Sequence, residues 1–221
     1  MMIQKELTMK AIIFDMDGVM IDSEYAYTAA IKAEVESLGH AISEEYIYGF
    51  VGTTHEYTWE HIVEDYALPE EPAVYIEQML EKREQIVLRD GLKTYPYIHE
   101  FIVEASEKGY LLAVASSSPK SEIIRTVEHL DADVYFNCLV SGEEVEHSKP
   151  APDVFLRAAE MLGVAPEDCI VIEDSRNGSL AAQSAGMYCI GYRDSQYPEQ
   201  DLSATAKIVS DFRDIELKLV K

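Results

Sequence analysis

Short apolar runs that alternate with helical patterns are the feature that most limits how this chain can fold. The runs are AIIF (11–14), LLAVA (111–115), FNCLV (136–140), CIVI (169–172), YCIGY (188–192) and KIV (207–209). Apolar residues spaced three and four apart predict helices over 97–109, 121–131 and 153–163. Strands that are apolar throughout are typical of a parallel sheet with helices on both faces. We therefore predict an α/β fold.

The pattern changes between residues 23 and 90, where helical periodicity continues without a convincing strand. Three stretches carry it, over 24–39, 55–66 and 71–90. An insertion directly after the first strand is well placed to form a lid over the carboxyl ends of the strands. We therefore predict an α/β core of residues 1–22 and 91–221 and an all-helical cap of residues 23–90.

The balance of charge excludes several kinds of partner. The chain has 41 acidic and 18 basic residues, a formal net charge of −23, and should be repelled by nucleic acid and by anionic membranes. No apolar run approaches the ~18 residues that span a bilayer, and the first ten residues lack the apolar stretch of a secretory signal. Cys138, Cys169 and Cys189 lie singly in apolar runs, which is typical of reduced core residues. We expect a cytoplasmic monomer without nucleic-acid or membrane partners.

The first apolar run leads directly into a cluster of acids, in the sequence DMDGVMID, which contains Asp15, Asp17 and Asp22. Side chains alternate along a strand, so Asp15 and Asp17 should project from one face. Two carboxylates about 4 Å apart repel by roughly 4 kcal/mol at an effective dielectric constant of about 20. A fold tolerates this only if protons or a cation compensate the charge. The alternative is an acidic loop in an acid-rich chain.

Polar residues also follow three of the other runs. The second run ends at residues 116–118 (SSS), the third is followed by a loop carrying Lys149, and the fourth ends at Glu173 and Asp174. In open α/β sheets, ligands bind outside the carboxyl ends of the strands. The carboxylates of Asp15, Glu173 and Asp174 are hard oxygen ligands suited to Mg²⁺, and Lys149 would offset their repulsion.

These groups fit the transfer of a phosphoryl group. Ser116 and the backbone N–H of Ser117, at the start of a helix, can hold phosphate oxygens. Ser118 is the expected N-cap of that helix, and Ser175 the N-cap of a helix beginning near residue 177. One aspartate of the DxD pair can attack phosphorus to form an aspartyl-phosphate. The other can donate a proton to the leaving oxygen and later take one from water.

DMDGVMIDSE resembles the first motif of the haloacid dehalogenase superfamily. Ser116, Lys149 in SKPAPDVF, and Glu173 with Asp174 in VIEDSRNGSLAAQSAGM match its second, third and fourth motifs in order. Together the motifs are similar to the β-phosphoglucomutase and phosphoglycolate-phosphatase-like branch. The resemblance implies a Rossmann-like parallel core with a small helical cap inserted after the first strand. It disfavours a hydrolytic dehalogenase, because those relatives need no metal and usually lack the second aspartate.

The resemblance also implies roles for individual residues. It makes Asp15 the nucleophile and Asp17 the general acid/base, while Ser116 and Lys149 hold the transferring phosphoryl group. It implies Mg²⁺ ligands at Asp15, the backbone carbonyl of Asp17, Glu173 and Asp174. Arg176 has two interpretations, a phosphate-facing residue or a partner in a surface ion pair.

Residues of the cap are candidates for binding the rest of the substrate. The register from Asp15 places Tyr27 where β-phosphoglucomutases carry a histidine, and His55 near their phosphate-gripping arginine. Tyr27 carries no charge near neutrality and His55 is a weaker phosphate ligand than arginine, so both departures favour hydrolysis. Lys82 and Arg83 are rare positive charges in an acidic region. We take Lys82 as a candidate substrate ligand, with a solvated helix face as the alternative.

We therefore expect a Mg²⁺-dependent phosphatase that acts on a small phosphorylated metabolite such as a sugar phosphate. The alternative within catalysis is a sugar phosphomutase, which uses the same aspartyl-phosphate but returns the phosphoryl group to a sugar. A second alternative is a receiver-type signalling module that accepts phosphate on an aspartate. The length of 221 residues, the cap insertion and the paired DxD argue against the signalling module.

Overall fold

The structure is a computed structural model, and it describes residues 9–51 and 53–218. These residues divide into two compact units. The first, the α/β unit, contains the described residues up to Ile21, Thr94–Asp194 and the described residues from Gln200 onward. The second, the cap unit, contains Asp22–Lys93 and Ser195–Glu199.

The α/β unit is built on a parallel sheet of six strands. These strands are β1 (Ala11–Phe14), β4 (Leu111–Ser116), β5 (Cys138–Ser141), β6 (Cys169–Glu173), β7 (Tyr188–Tyr192) and β8 (Lys207–Val209). Their order across the sheet is β5-β4-β1-β6-β7-β8, with parallel pairing throughout. Two short strands, β2 (Ile21–Asp22) and β3 (Lys93–Thr94), pair separately. The predicted parallel α/β fold is confirmed.

Both faces of this sheet are covered, which explains why its strands carry no polar alternation. The helices of the unit are α5 (Ile98–Glu107), α6 (Lys120–His129), α7 (Asp153–Leu162) and α8 (Arg176–Ser184). Ile13 on one face of β1 belongs to a buried cluster that includes Phe155 of α7. Phe14 on the other face packs edge-on against Phe101 of α5, with ring centroids 6.0 Å apart. A central strand buried on both sides is apolar at every position.

The cap unit is helical, with α1 (Glu24–Ser37), α2 (Glu44–Tyr48), α3 (His55–Tyr66) and α4 (Pro72–Asp90). Its buried cluster centres on Trp59, which stacks on Tyr75 with ring centroids 5.4 Å apart and an interplanar angle of 19°. The short helix α2 was not predicted, because five residues are too few to show helical periodicity. No helix among residues 9–51 and 53–218 has both the length and the apolar character to cross a membrane.

The cap unit begins at Asp22 and includes a segment, Ser195–Glu199, far away in sequence. Within this unit the Tyr197 hydroxyl donates a hydrogen bond to Asp22 Oδ1 across 2.7 Å. The Tyr197 ring also packs edge-on against Tyr48, with centroids 5.5 Å apart. The boundaries expected from the sequence, at 22/23 and 90/91, differ by one and three residues from those in the structure, at 21/22 and 93/94. The sequence-based division did not assign Ser195–Glu199 to the cap.

Helix caps show one correct expectation and one wrong one. Ser175 is the N-cap of α8, and its hydroxyl accepts a hydrogen bond from the N–H of Gly178 across 3.0 Å. Ser118 does not cap α6, whose N-cap is Pro119. The physical reason is that Pro119 is still extended, with ψ at 146°, so the helix begins one residue later than a Ser118 cap requires.

Candidate active site

The site lies where neighbouring strands of the α/β sheet end. In the parallel register, Phe14 of β1 is opposite Val114 of β4 and Ile172 of β6. Asp15, the residue after β1, and Glu173, the last residue of β6, therefore lie at the same end of the sheet as Ser116, the last residue of β4. The sheet brings together side chains that are about 100 to 160 residues apart in the sequence.

Lys149 binds two buried carboxylates at this edge. Its Nζ lies 2.5 Å from Asp15 Oδ1 and 2.9 Å from Glu173 Oε1. The three side chains are nearly inaccessible, with exposed fractions of 7% for Lys149, 9% for Asp15 and 1% for Glu173. Lys149 also lies over the Phe155 ring, 4.7 Å from its centroid. The positive charge that the DxD cluster requires is therefore supplied in part by a buried lysine.

Burial and these neighbours shift the pKa of both Asp15 and Lys149. Burial raises the pKa of Asp15 against the opposing charge of Lys149, and with the charges of Glu173 and Asp17 the net pKa is about 7. Burial alone would lower the pKa of Lys149, but the carboxylates of Asp15 and Glu173 outweigh it and raise that pKa. Lys149 is therefore charged at neutral pH, whereas Asp15 is only partly ionised at that pH when no metal is bound.

Three carboxylates fit a divalent cation at this position. Asp15, Glu173 and Asp174 each offer an oxygen, and these oxygens lie within 4.8 Å of one another. Two glycines leave room for the carboxylates. A Cβ on Gly18, where φ is +74°, would lie 2.0 Å from Asp174 Oδ2, and one on Gly178 would lie 1.6 Å from Glu173 Oε1. Hard oxygen donors packed this closely suit Mg²⁺.

Glu173 is held in place by a residue that the sequence argument did not include in the site. Its Oε2 accepts hydrogen bonds from the N–H and the hydroxyl of Ser175, at 2.6 and 2.9 Å. The Oε1 atom receives the bond from Lys149. The Glu173 carboxylate thus has a hydrogen-bond partner on each oxygen. The sequence EDS at residues 173–175, with a serine two residues after the glutamate, is the signal that could have indicated this contact.

Asp17 lies near Asp15 but has a different environment. It is half-buried, and its Oδ2 accepts a hydrogen bond from the Ser118 hydroxyl across 2.6 Å. Its side chain is not part of the three-carboxylate cluster. The expectation that its backbone carbonyl binds the metal stays a prediction.

The serines after β4 are arranged differently from the expected helix start. Ser116 is buried, and its hydroxyl accepts from the N–H of Ser118 across 3.1 Å. Ser117 is exposed and stands three residues before Lys120, the first residue of α6. Placing the Ser117 N–H at the helix start was therefore wrong, because the turn closes on Ser116 before the helix begins. A phosphate-binding role for either serine stays a prediction.

Two of the three cap candidates lie together within the cap unit. The rings of Tyr27 and His55 are 5.1 Å apart, and both residues line a cavity of about 120 Å³. The guanidinium of Arg83, which is buried, lies 4.8 Å from the Tyr27 ring centroid. Burial lowers the pKa of His55, and Arg83 lowers it further against the opposing charge of Glu56.

Lys82 is placed apart from these rings. Its Nζ lies 2.5 Å from Glu34 Oε2, and Glu34 is buried within the cap unit. Lys82 therefore neutralises a buried acid of the cap, and a substrate contact for it stays a prediction. Of the two adjacent basic residues, Arg83 is the one beside Tyr27. On α8, exposed Arg176 forms an ion pair with Asp201 across 3.6 Å, as the second interpretation of this residue expects.

Comparison with known proteins agrees with this geometry. The sequence profile described as "Haloacid dehalogenase-like hydrolase" matches residues 12–192. The phosphorylated carbohydrates phosphatase of Thermotoga maritima is 32% identical over 81% of this chain and 82% of its own length. The fructose-1-phosphate phosphatase YqaB of Escherichia coli is 31% identical over 82% of this chain and 95% of its own.

A solved structure shows the same fold. It is a HAD family hydrolase from Deinococcus radiodurans R1, with phosphate and sodium bound, and its TM-score to this chain is 0.81. The alignment covers 95% of this chain and 94% of the other, with 21% sequence identity. The profile match spans more than half of the chain, and the order of motifs agrees with it. The chain belongs to the family of haloacid dehalogenase-like hydrolases, and it is an enzyme that hydrolyses phosphoric monoesters.

Proposed function

We propose that this protein is a Mg²⁺-dependent phosphatase that hydrolyses a small phosphorylated metabolite of the sugar-phosphate class through an aspartyl-phosphate on Asp15. The observation that carries the proposal is the Asp15 carboxylate, buried between the ammonium of Lys149 and the carboxylates of Glu173 and Asp174. Relatives named for phosphorylated carbohydrates and for fructose 1-phosphate support the substrate class.

Asp15, Glu173 and Asp174 would hold the metal ion, with the backbone carbonyl of Asp17 as a further ligand. When bound, Mg²⁺ would neutralise part of the negative charge of the phosphoryl group and of the carboxylates around it. This matters in a chain with a net charge of −23, because an anionic substrate needs local positive charge to approach the site. Lys149 supplies the remaining positive charge from the protein itself.

The chain's own residues account for both halves of the reaction. Asp15 attacks phosphorus, the bond between phosphorus and the ester oxygen breaks, and Asp17 gives its proton to that leaving oxygen. Water then attacks the phosphorus of the aspartyl-phosphate and gives a proton to Asp17, which releases phosphate and restores both aspartates. Ser116 and Lys149 bind phosphoryl oxygens during both steps.

The free cysteines, all buried, support a reducing, cytoplasmic setting.

Hydrolysis is favoured over mutase chemistry by the cap. A mutase must bind a second phosphate on the substrate, and that phosphate needs a fixed positive charge. At the two positions matched to the mutase ligands, neither Tyr27 nor His55, whose pKa is lowered by burial, supplies one at neutral pH. The fixed charge nearby is that of Arg83, which is buried over the Tyr27 ring.

The test is a panel of sugar phosphates and other phosphate monoesters, assayed for phosphate release with Mg²⁺, with Asp15→Asn as the inactive control. We expect release from sugar phosphates by the wild type alone. Wild-type release by purified Asp15→Asn would refute the nucleophile. In a second assay, β-glucose 1-phosphate with a trace of the 1,6-bisphosphate should yield free phosphate, and faster formation of glucose 6-phosphate would establish the mutase instead.

A further inference from the structure

Ser118 contacts the general acid/base directly. Its hydroxyl donates a hydrogen bond to Asp17 Oδ2 across 2.6 Å, between residues 101 positions apart. At 2.6 Å this O–H···O contact lies at the short end of the range for hydroxyl hydrogen bonds. The hydroxyl of Ser116, two residues earlier, is used differently, because it accepts from the N–H of Ser118.

The turn that carries Ser118 is itself fixed by the neighbouring strand. The carbonyl oxygen of Ser118 accepts a hydrogen bond from the hydroxyl of Ser141 across 2.7 Å. Ser141 is completely buried at the end of β5. Next to it, a Cβ on Gly142 would lie 3.1 Å from the Cα of Ser117, so the two backbones approach closely. The end of β5 therefore fixes the turn that carries the Ser118 hydroxyl, through the Ser141 hydrogen bond and the close approach of Gly142.

We propose that Ser118 is a positioning residue that orients Asp17 for proton transfer, an inference that rests on the proposed function. A serine hydroxyl has one proton to donate, and here it goes to Oδ2. Oδ1 is then the oxygen that carries the proton to the ester oxygen and later receives one from water. The hydrogen bond from Ser118 fixes the rotation of the Asp17 carboxylate and so keeps Oδ1 next to the reacting atoms. Small displacements from that position reduce reaction rates strongly.

The experiment compares two substrates whose leaving groups differ in their need for a proton. The rate of phospho-enzyme formation is measured in a single turnover with a sugar phosphate, whose alkoxide must be protonated, and with p-nitrophenyl phosphate, whose phenolate leaves without a proton. The variants are Ser118→Ala, Ser118→Thr, which keeps the hydroxyl, and Asp17→Asn as the benchmark. Ser37→Ala is the matched control, because it removes a hydroxyl bonded to a backbone carbonyl in the cap unit.

We expect Ser118→Ala to slow phosphorylation by the sugar phosphate about tenfold and by p-nitrophenyl phosphate less than about twofold, with KM unchanged for both. Asp17→Asn should show the same discrimination at about 10²–10⁴-fold. Ser118→Thr should restore most of the sugar-phosphate rate, and Ser37→Ala should match the wild type.

Two results would overturn the inference while leaving the proposed function intact: an equal loss on both substrates, which indicates phosphate binding or a structural role, or no loss on either. The failure of the proposed function looks different. In that case the wild type forms no phospho-enzyme, or Asp17→Asn itself does not discriminate between the substrates, and the inference fails with it.

Discussion

Replacing Asp15 by asparagine should stabilise the protein when no metal is present. Burial raises the pKa of the Asp15 carboxyl from its ordinary value of 3.8 to about 7 in the folded protein. At pH 8 the carboxyl is ionised in both the folded and the unfolded states, so folding includes the cost of burying this charge. A difference of about three pH units corresponds to about 4 kcal/mol. The asparagine variant avoids this cost and keeps an oxygen for Lys149.

The pH dependence of this effect has a definite sign. A carboxyl whose pKa is raised by folding binds its proton more tightly in the folded state, so its contribution favours folding at low pH and is lost as the pH rises from 3.8 to about 7. The advantage of Asp15→Asn should therefore be full above pH 7, shrink by about 1.4 kcal/mol for each pH unit below it, and vanish near pH 4. For a chain of this size, about 4 kcal/mol raises Tm by about 8–16 °C.

The assay is thermal unfolding in EDTA at a series of pH values from 5 to 9, for the wild type and Asp15→Asn. Asp133→Asn, at an exposed position, changes the net charge equally and is the matched control; its Tm should follow the wild type. Adding Mg²⁺ should stabilise the wild type more than Asp15→Asn, which has lost a ligand. A Tm gain that is absent at pH 8, or equal at pH 5 and pH 8, would refute the argument that Asp15 is buried at an energetic cost.

Three further outcomes follow from the same site. EDTA should abolish phosphate release and Mg²⁺ should restore it, whereas Ca²⁺ should bind without supporting turnover because its coordination is larger and looser; full activity after exhaustive chelation would exclude the metal site. Lys149→Met should lower stability in EDTA by about 3–5 kcal/mol, the opposite sign to Asp15→Asn, because it leaves two buried carboxylates without their cation; an unchanged Tm would contradict this. Gly178→Ala should displace the Glu173 carboxylate, lower stability by about 1–3 kcal/mol and weaken Mg²⁺ binding. Gly186→Ala, a control with φ +74° and no atom near the added Cβ, should lower stability but bind Mg²⁺ as the wild type does. Equal Mg²⁺ affinities for the two variants would contradict a clash between the added methyl group and Glu173.

Most of the sheet could be predicted from the sequence because its inner strands are buried on both faces, whereas the edge strand β8 is exposed at Lys207 and Ile208. Runs such as AIIF and CIVI have no polar residue until the strand ends, so the end of each run marks the place where side chains reach the site. The run from 188 to 192 and the run from 207 to 209 match β7 and β8 at both ends. Gly163, the αL C-cap of α7, ends that helix where expected.

Contacts between distant residues could not be predicted in this way. Lys82 and Arg83 are adjacent on α4 and equally basic, and only the packing of α4 against α1 decides which one reaches Glu34 and which one lies beside Tyr27. The bond from Tyr197 to Asp22 joins residues 175 positions apart, and no local pattern indicates it.

The three aspartates that follow the first strand look equivalent in sequence, and their neighbours make them different. Asp15 is buried beside Lys149, whose positive charge compensates the negative charge of the carboxylates only in part. The remaining negative charge favours binding of a metal ion. Asp17 is half-buried and accepts a hydrogen bond from the Ser118 hydroxyl on one oxygen, which under the proposed function leaves the other oxygen to exchange a proton. Asp22, in the cap unit, accepts from the N–H of Tyr25 at 3.2 Å and from the hydroxyl of Tyr197. A strand can therefore end in clustered carboxylates because each one meets a different partner. Under the proposed function, the same partners separate the nucleophile, the acid/base and the structural residue.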